Sequence, residues 1–308
     1  MNILITGVAG FIGSNLADYL INRGHKVIGI DNLSYGLIEQ VPENVQFHKV
    51  DILSKDIYKL FEKIDVVFHL AAKNCISDCQ DDPLETARIN VLGSINVFEA
   101  SKISNVNKII YAESSALYEG SQSFPTNEKD EKPESFYAVS KLASRFFSEA
   151  YSRFHNLDLI ALRYFNVYGP KQDYRRSIPP LMCALIINLL KGDVPTIYGN
   201  GSKRRDFIYI DDVNRFHEIL INKEKINKKT FNVGFGKNYS VLEVFETLKN
   251  ILKVEVSAKH NKDLPGEAFQ NLADISNAKS LGWEPKINLE DGLKLSIDYI
   301  RNNILQLT

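Results

Sequence analysis

Residues 3–13 read Ile3-Leu4-Ile5-Thr6-Gly7-Val8-Ala9-Gly10-Phe11-Ile12-Gly13. An apolar run with strand character leads into three glycines spaced G-x-x-G-x-x-G. A segment of helical period, Ser14 to Arg23, starts at the last of them. This strand–turn–helix aims free backbone N–H groups and the positive end of a helix at an anion, typically a dinucleotide pyrophosphate. Alone the motif is weak, because a glycine-rich turn can bind nothing. A second apolar run, Lys26-Val27-Ile28-Gly29-Ile30, strengthens it by ending in Asp31, about 20 residues beyond the glycines. An acidic side chain at that point grips the adenosine ribose hydroxyls and repels a 2′-phosphate. No basic residue follows directly, which favours NAD over NADP.

At 308 residues the chain can bury a substantial core and hold two lobes. The net charge of -1, with no basic stripe or tail, argues against nucleic-acid or anionic-membrane partners. No apolar run is long enough to span a bilayer, and the N-terminus reads as a core strand rather than a signal peptide. Cys75, Cys79 and Cys183 make no disulfide framework, and no nearby histidine or cysteine completes a metal set around Cys75 and Cys79. Plain thiols, no metal and a cytosolic setting are expected.

Strand-like runs at 2–6, 26–30, 45–48, 66–70, 108–112 and 158–163 alternate with helical patterns at 12–23, 83–102 and 138–154. That alternation implies an α/β fold, a Rossmann-like doubly wound parallel sheet with a smaller C-terminal α/β lobe. Residues 1–168 are expected to form the dinucleotide domain, with 206–235 partly returning to it. Residues 169–205 and 236–308 are expected to form the second lobe, with helices near 178–191, 240–253 and 290–302. Ligands in such sheets bind outside the carboxyl ends of the strands. Residues placed there are Gly7–Gly13, Asp31-Asn32, Ala71-Ala72-Lys73, Ser114-Ser115 and Tyr164-Phe165-Asn166.

Tyr137-Ala138-Val139-Ser140-Lys141 sets a tyrosine and a lysine four apart at a helix start, on one helix face. The spacing is common by chance. Here it follows a dinucleotide-type half and a strand ending in Ser114-Ser115, so a base, a tuning cation and a hydroxyl partner occur together. A phenol with a free pKa near 10 must fall by about 3 units, about 4 kcal/mol, to act as a base near neutrality. A nearby ammonium and an oxidised nicotinamide can supply much of that in a partly dry site.

As a set, these features resemble the extended short-chain dehydrogenases/reductases, and specifically the NAD-dependent nucleotide-sugar epimerases. The resemblance runs over essentially the whole chain. It adds Asp51-Ile52, His69-Leu70-Ala71-Ala72, Asn90-Val91-x-Gly93, Leu162-Arg163-Tyr164-Phe165-Asn166-Val167-Tyr168-Gly169, Arg205-Asp206-Phe207, Pro265-Gly266-Glu267 and Ala273-Asp274-Ile275. It implies that NAD is held by Gly7, Gly10, Phe11, Ile12, Gly13, Asp31, Asn32, Asp51, Ile52, Leu70, Ala71, Ala72, Lys73, Asn90, Tyr137, Lys141, Tyr164 and Val167. A nucleotide-diphosphate sugar would meet Ser115, Asn166, Arg205, Phe207, Val241, Glu267 and Asn271. The implied reaction is a reversible oxidation at the sugar C4, with Tyr137 as base, Lys141 as its tuning cation and Ser114 or Ser115 sharing the proton. A 4-keto-6-deoxysugar reductase with exchangeable NAD(P)H is the alternative. Dimerisation is implied through the helices near 83–102 and 138–154, whose outer apolar residues are read as Val91, Ile95, Phe98, Phe146 and Phe147.

Four positions depart from the family pattern. Glu113 precedes the serine pair where a small residue is usual, and Glu119 replaces a glycine; a surface change is one reading of either, and Glu113 weighs more because it is nearer the hydroxyl. Leu264 stands where an arginine usually contacts the diphosphate. Asn271 takes a position that is tyrosine in some glucose-only relatives, so N-acetylhexosamine substrates are expected to fit.

Overall fold

Apart from the exposed edge strand at 46–49, the apolar runs of the N-terminal half become strands largely buried on both faces, as a parallel sheet covered by helices requires. The structure, a computed structural model, describes residues 1–175, 179–224, 226, 229–263 and 268–306. Strands β1 (Asn2–Thr6), β2 (Lys26–Asp31), β3 (Gln46–Lys49), β4 (Val66–His69), β5 (Lys108–Ser114) and β6 (Leu159–Tyr164) pair in parallel. Then come β7 (Asn166–Tyr168), β8 (Thr196–Tyr198), β9 (Arg204–Tyr209), β10 (Thr230–Val233), β11 (Asn238–Ser240) and β12 (Lys259–Asn261). The large sheet runs β10-β6-β5-β4-β1-β2-β3. Its order reverses between β1 and β4, which opens the ligand crevice at their carboxyl ends. The doubly wound reading holds. Leu4, Val67 and Ile109 from three neighbouring strands pack with Ile57, Phe61 and Phe98 in one core.

Helices α1 (Phe11–Ile21), α2 (Ile76–Asp81), α3 (Pro83–Ala87), α4 (Gly93–Ile103) and α5 (Phe136–His155) belong to this half. The helix expected over 83–102 is not continuous. Asp82 caps α3, accepting from Glu85 N–H at 3.0 Å, and Pro83 opens it. A π-helical turn, Arg88–Leu92, then separates α3 from α4. The Ser94 hydroxyl donates to the Asn90 carbonyl at 2.5 Å and competes with the helical ladder there. Helix α2 was not expected, because Ile76-Ser77-Asp78-Cys79-Gln80-Asp81 has no apolar period and buries only Cys79. Phe98 is not an outer residue. It is fully buried, edge-on to His69, Tyr111 and Tyr151.

The chain forms two compact units. The first holds Met1–Ser121, Glu128–Tyr164 and His217–Asn232, and the second Gln122–Asn127, Phe165–Phe216 and Val233–Thr308. Of residues 206–235, expected to return in part, the stretch 217–232 belongs to the first unit and the remainder does not. The reason is that β9 joins β7 and β11 in a three-stranded sheet of the second unit. That unit also carries α6 (Leu181–Lys191), α7 (Ile210–Asn222, which runs into the returning segment), α8 (Val241–Leu252), α9 (Ser276–Lys279) and α10 (Leu289–Tyr299), with Trp283 buried against Phe216. No helix among the described residues is long and apolar enough to cross a membrane.

Candidate active site

The glycine turn is built around two close backbone approaches. Gly7 has φ +74°, and a Cβ added there would lie 2.7 Å from the Ala71 nitrogen. At Gly13 a Cβ would collide with the Gly7 carbonyl. These contacts seat the start of α1 against the crevice between β1 and β4. The helix has Gly10 as its N-cap, with no side-chain cap bond and no acidic residue in the first turn. Its positive end is therefore left for an anion from outside the helix. Phe11 and Ile12 are half-buried in that turn. Asp31 accepts from Ala9 N–H at 3.0 Å and Leu33 N–H at 2.8 Å, tying the end of β2 to the glycine loop. Burial pushes its carboxyl up, against these two bonds. Asp51 accepts from the Asn32 amide at 2.9 Å and from Leu33's counterpart in the next turn, Leu53 N–H, at 2.8 Å. Ile52 points its side chain into the core.

After β4, Leu70 and Ala71 N–H groups bond the Thr6 carbonyl and hydroxyl at 3.2 Å each, and Ala72 is half-buried beside them. The buried Asn90 then clamps Lys73. Its Oδ1 accepts from Lys73 N–H at 2.8 Å, and its Nδ2 donates to the Lys73 carbonyl at 3.0 Å and to Ser140 Oγ at 2.9 Å. Ser140 donates onward to the Tyr137 carbonyl at 2.7 Å. Asn90 thus fastens the loop after β4 to the start of α5. His69 lies between Thr6 and Ser94, at 2.8 and 3.0 Å, and burial with the Lys141 charge holds it down at about 3, neutral at physiological pH.

Helix α5 carries the Tyr137–Lys141 pair. Ser135 caps it, accepting from Ala138 N–H at 3.1 Å. Glu119 braces that cap, accepting from the N–H groups of Glu134 and Ser135 and from the Ser135 hydroxyl. Tyr137 is 8% exposed, and the Lys141 ammonium lies 5.9 Å from its ring centre. Lys141 Nζ donates to the Ala112 carbonyl on β5 at 3.0 Å. Burial pulls its ammonium down to about 8, while Glu113 works in the opposite direction. Ser114 Oγ accepts from Ala116 N–H at 3.1 Å, which leaves its proton free to be donated. The adjacent Ser115 is half-buried. Tyr164 shares a 2.7 Å hydrogen bond with His217 Nε2.

Neither Glu113 nor Glu119 is a surface change. Glu113 is buried on β5 opposite Arg163 in the strand register. Arg163 Nε donates to it at 2.7 Å, and the same guanidinium reaches Tyr118 Oη, the Glu128 carbonyl and Glu131. Family spacing flagged both glutamates, but their partners are remote in sequence.

In the second unit, Asn166 and Asn271 come together. Asn166 Nδ2 donates to Asn271 Oδ1 at 3.2 Å and to the Asp206 carbonyl at 2.9 Å. Asp206, given no role from sequence, organises this group. Its carboxylate accepts from Phe235, Gly236 and Ala273 N–H groups at 2.7, 3.0 and 3.0 Å, and its own N–H bonds Asn271 Oδ1. Burial pushes the carboxyl up to about 6 against those bonds. Arg205 is half-buried, with Nη1 on the carbonyls of Arg204 and Phe269. Phe207 is buried edge-on to Tyr168. The Val167 carbonyl accepts from the Gln172 amide at 3.1 Å, and Val241 opens α8 behind the Ser240–Glu243 capping box. Glu267 and Leu264 lie outside the described residues.

Comparison with known proteins identifies the family and the fold. The model of the NAD dependent epimerase/dehydratase family matches residues 3–234. A UDP-glucose 4-epimerase of Thermotoga maritima, solved with UDP-glucose, superposes with a TM-score of 0.95 at 34% identity, covering 99% of this chain and 100% of that one. A UDP-N-acetylglucosamine 4-epimerase of Methanobrevibacter ruminantium, in complex with UDP-N-acetylmuramic acid, gives 0.94 at 32% identity over 98% and 99%. A UDP-glucuronic acid 4-epimerase of Bacillus cereus, with UDP-glucuronic acid and NAD, gives 0.89 at 32% identity over 98% and 99%.

Proposed function

The chain belongs to the NAD dependent epimerase/dehydratase family, and from that premise we propose that it interconverts UDP-hexoses differing in configuration at C4, using NAD that stays bound. The observation that carries this reading is the position of Lys141, one turn beyond Tyr137 and bonded to the carboxyl-end residue Ala112 of β5. That is the sheet end that also presents the glycine turn and Asp31.

The chain's own groups fit NAD. The uncapped start of α1 suits its pyrophosphate, Asp31 its adenosine ribose, and Tyr137 with Lys141 its nicotinamide ribose. When bound, NAD supplies a hydride acceptor that also returns the hydride. Tyr137, as phenolate, takes the proton of the sugar 4-hydroxyl, and Ser114 or Ser115 donates a hydrogen bond to the same oxygen. Lys141 stabilises the phenolate as a nearby cation in a dry setting. The 4-keto sugar then turns its other face, and Tyr137 gives the proton back, so no net oxidation occurs. Arg205 is suited to diphosphate oxygens by its planar guanidinium. Asn166 and Asn271 offer amides to the hexose, and an asparagine at position 271 leaves room for an N-acetyl group.

Leu84, Phe146 and Phe154 are exposed on α3 and α5, which supports a homodimer through these helices. The free thiols Cys75, Cys79 and Cys183 suit a reducing compartment such as the cytosol. The test of function is a panel of UDP-, dTDP- and GDP-hexoses, incubated without added NAD and read for epimers. Turnover of UDP-hexoses, N-acetylated ones included, is expected. Conversion of dTDP- or GDP-sugars alone, or a demand for added NADPH, refutes the reading.

A further inference from the structure

The Glu113–Arg163 pair places two charges in the interior next to the catalytic helix, and the reaction above gives it no part. Alternate residues of a strand face opposite ways, so Tyr111 and Glu113 share one face of β5. That face is covered by α5, because the Tyr111 hydroxyl bonds both Ser148 of α5, at 2.7 Å, and Glu113, at 3.2 Å. Lys141, Arg145 and Ser148 recur at helical spacing on the facing side of α5. Lys141 Nζ is fixed to the carbonyl of Ala112, the residue before Glu113. An ammonium and a carboxylate therefore sit at one strand end, at 6% and 2% exposure.

The other groups around Lys141 do not replace that carboxylate. His69 of β4 is neutral, and burial keeps the Cys79 thiol of α2 protonated. Lys73, beyond β4, adds a like charge. Arg163 of β6 is bound to Glu113, and Tyr118 to Arg163. Arg145, one turn on along α5, is held by Glu131. Glu85 and Arg88, of α3 and the π turn, pair with each other at the surface, and Glu99 of α4 pairs with Lys102. Burial pushes the Glu113 carboxyl up, and Arg163, whose guanidinium does not give up its proton, works against that shift by its charge and its hydrogen bond. A neutral Glu113 would leave that buried cation short of its partner.

We propose that Glu113 is a positioning residue for the reaction: its carboxylate, anchored by Arg163, keeps the Lys141 ammonium charged where Tyr137 needs a neighbouring cation. Its consequence for turnover rests on the epimerase reading, whereas the charge coupling itself does not.

The test is an NMR titration of full-length, NAD-loaded protein labelled at the lysine ε-carbon, with the Lys141 signal identified by its loss in Lys141→Met. In Glu113→Gln the Lys141 midpoint moves down by about one pH unit. The alkaline limb of kcat moves down with it while KM is unchanged, and Glu113→Asp restores both. A purely structural role for Glu113 would lower stability and leave the midpoint and the limb in place. An unmoved Lys141 midpoint in folded Glu113→Gln overturns the inference. Should that variant fail to fold, the double variant Glu113→Gln/Arg163→Gln withdraws both buried charges together. The expectation there is a smaller downward move, and an unmoved or raised midpoint is again a refutation. A shifted midpoint in a protein that turns over no UDP-hexose would count against the epimerase reading alone.

Discussion

Replacing Asn90 with alanine tests how the loop after β4 is coupled to the catalytic helix. The Asn90 side chain makes three hydrogen bonds, at 2.8 and 3.0 Å to the two backbone groups of Lys73 and at 2.9 Å to Ser140. It is 1% exposed, so water does not take over when it is removed. At a net 1 kcal/mol per bond the loss is about 3 kcal/mol. Ser140→Ala breaks one of the three together with the Ser140 bond to the Tyr137 carbonyl, and is expected to cost about 2 kcal/mol. In the double variant the Asn90–Ser140 bond is counted once, so the two effects fall short of additivity by about 1 kcal/mol. Urea unfolding of the three variants and the parent completes the cycle. Because Ser140 also bonds the Tyr137 carbonyl, kcat is expected to fall in Asn90→Ala even where the protein remains folded. A cost below about 1 kcal/mol for Asn90→Ala, with strict additivity, would refute the clamp.

Gly7→Ala places a Cβ at φ +74° and 2.7 Å from the Ala71 nitrogen. The left-handed conformation alone costs about 1–2 kcal/mol, and displacement of the Ala71 loop should leave the purified protein with little bound NAD, read by its absorbance after denaturation; full occupancy would be the wrong result. Burial holds His217 down at about 3, so the stability it contributes is complete above the free-imidazole value and is lost as pH falls toward the folded one. Between about pH 6.5 and pH 5 the parent should lose about 2 kcal/mol relative to His217→Phe, and parallel stability curves would contradict this. On the proposed dimer, Phe146→Glu should shift the sedimentation of the protein from dimer to monomer, since Phe146 is 55% exposed on α5, and a parent that already sediments as a monomer would count against that dimer.

The features legible in the sequence were those whose partners lie nearby along the chain. The glycine turn, Asp31 and the Tyr137–Lys141 spacing are local patterns; the first two fall at carboxyl strand ends, and the third opens α5 with Lys141 bonded to Ala112 of β5. The role of Asp206 was hidden because its partners are Phe235, Gly236 and Ala273. Glu113 could be flagged as unusual, but its meaning depends on the β5–β6 register that sets it opposite Arg163. Phe98 has the period of an outer helical residue, yet it is buried because α4 is packed on both the sheet and α5. The π turn was unreadable for a similar reason. It goes with the Ser94 bond to the Asn90 carbonyl and the Asn90 side-chain bonds to Lys73 and Ser140, which no helical propensity records.

The most direct test of the central claim uses purified protein with no added cofactor. Parent and Tyr137→Phe are incubated with UDP-glucose and with UDP-N-acetylglucosamine, and the C4 configuration is followed by proton NMR. An equilibrium mixture of the two C4 epimers is expected with the parent and almost none with Tyr137→Phe, both proteins carrying equal bound NAD. A Tyr137→Phe variant as active as the parent, or a parent that holds NAD yet leaves both sugars unchanged, would contradict that claim.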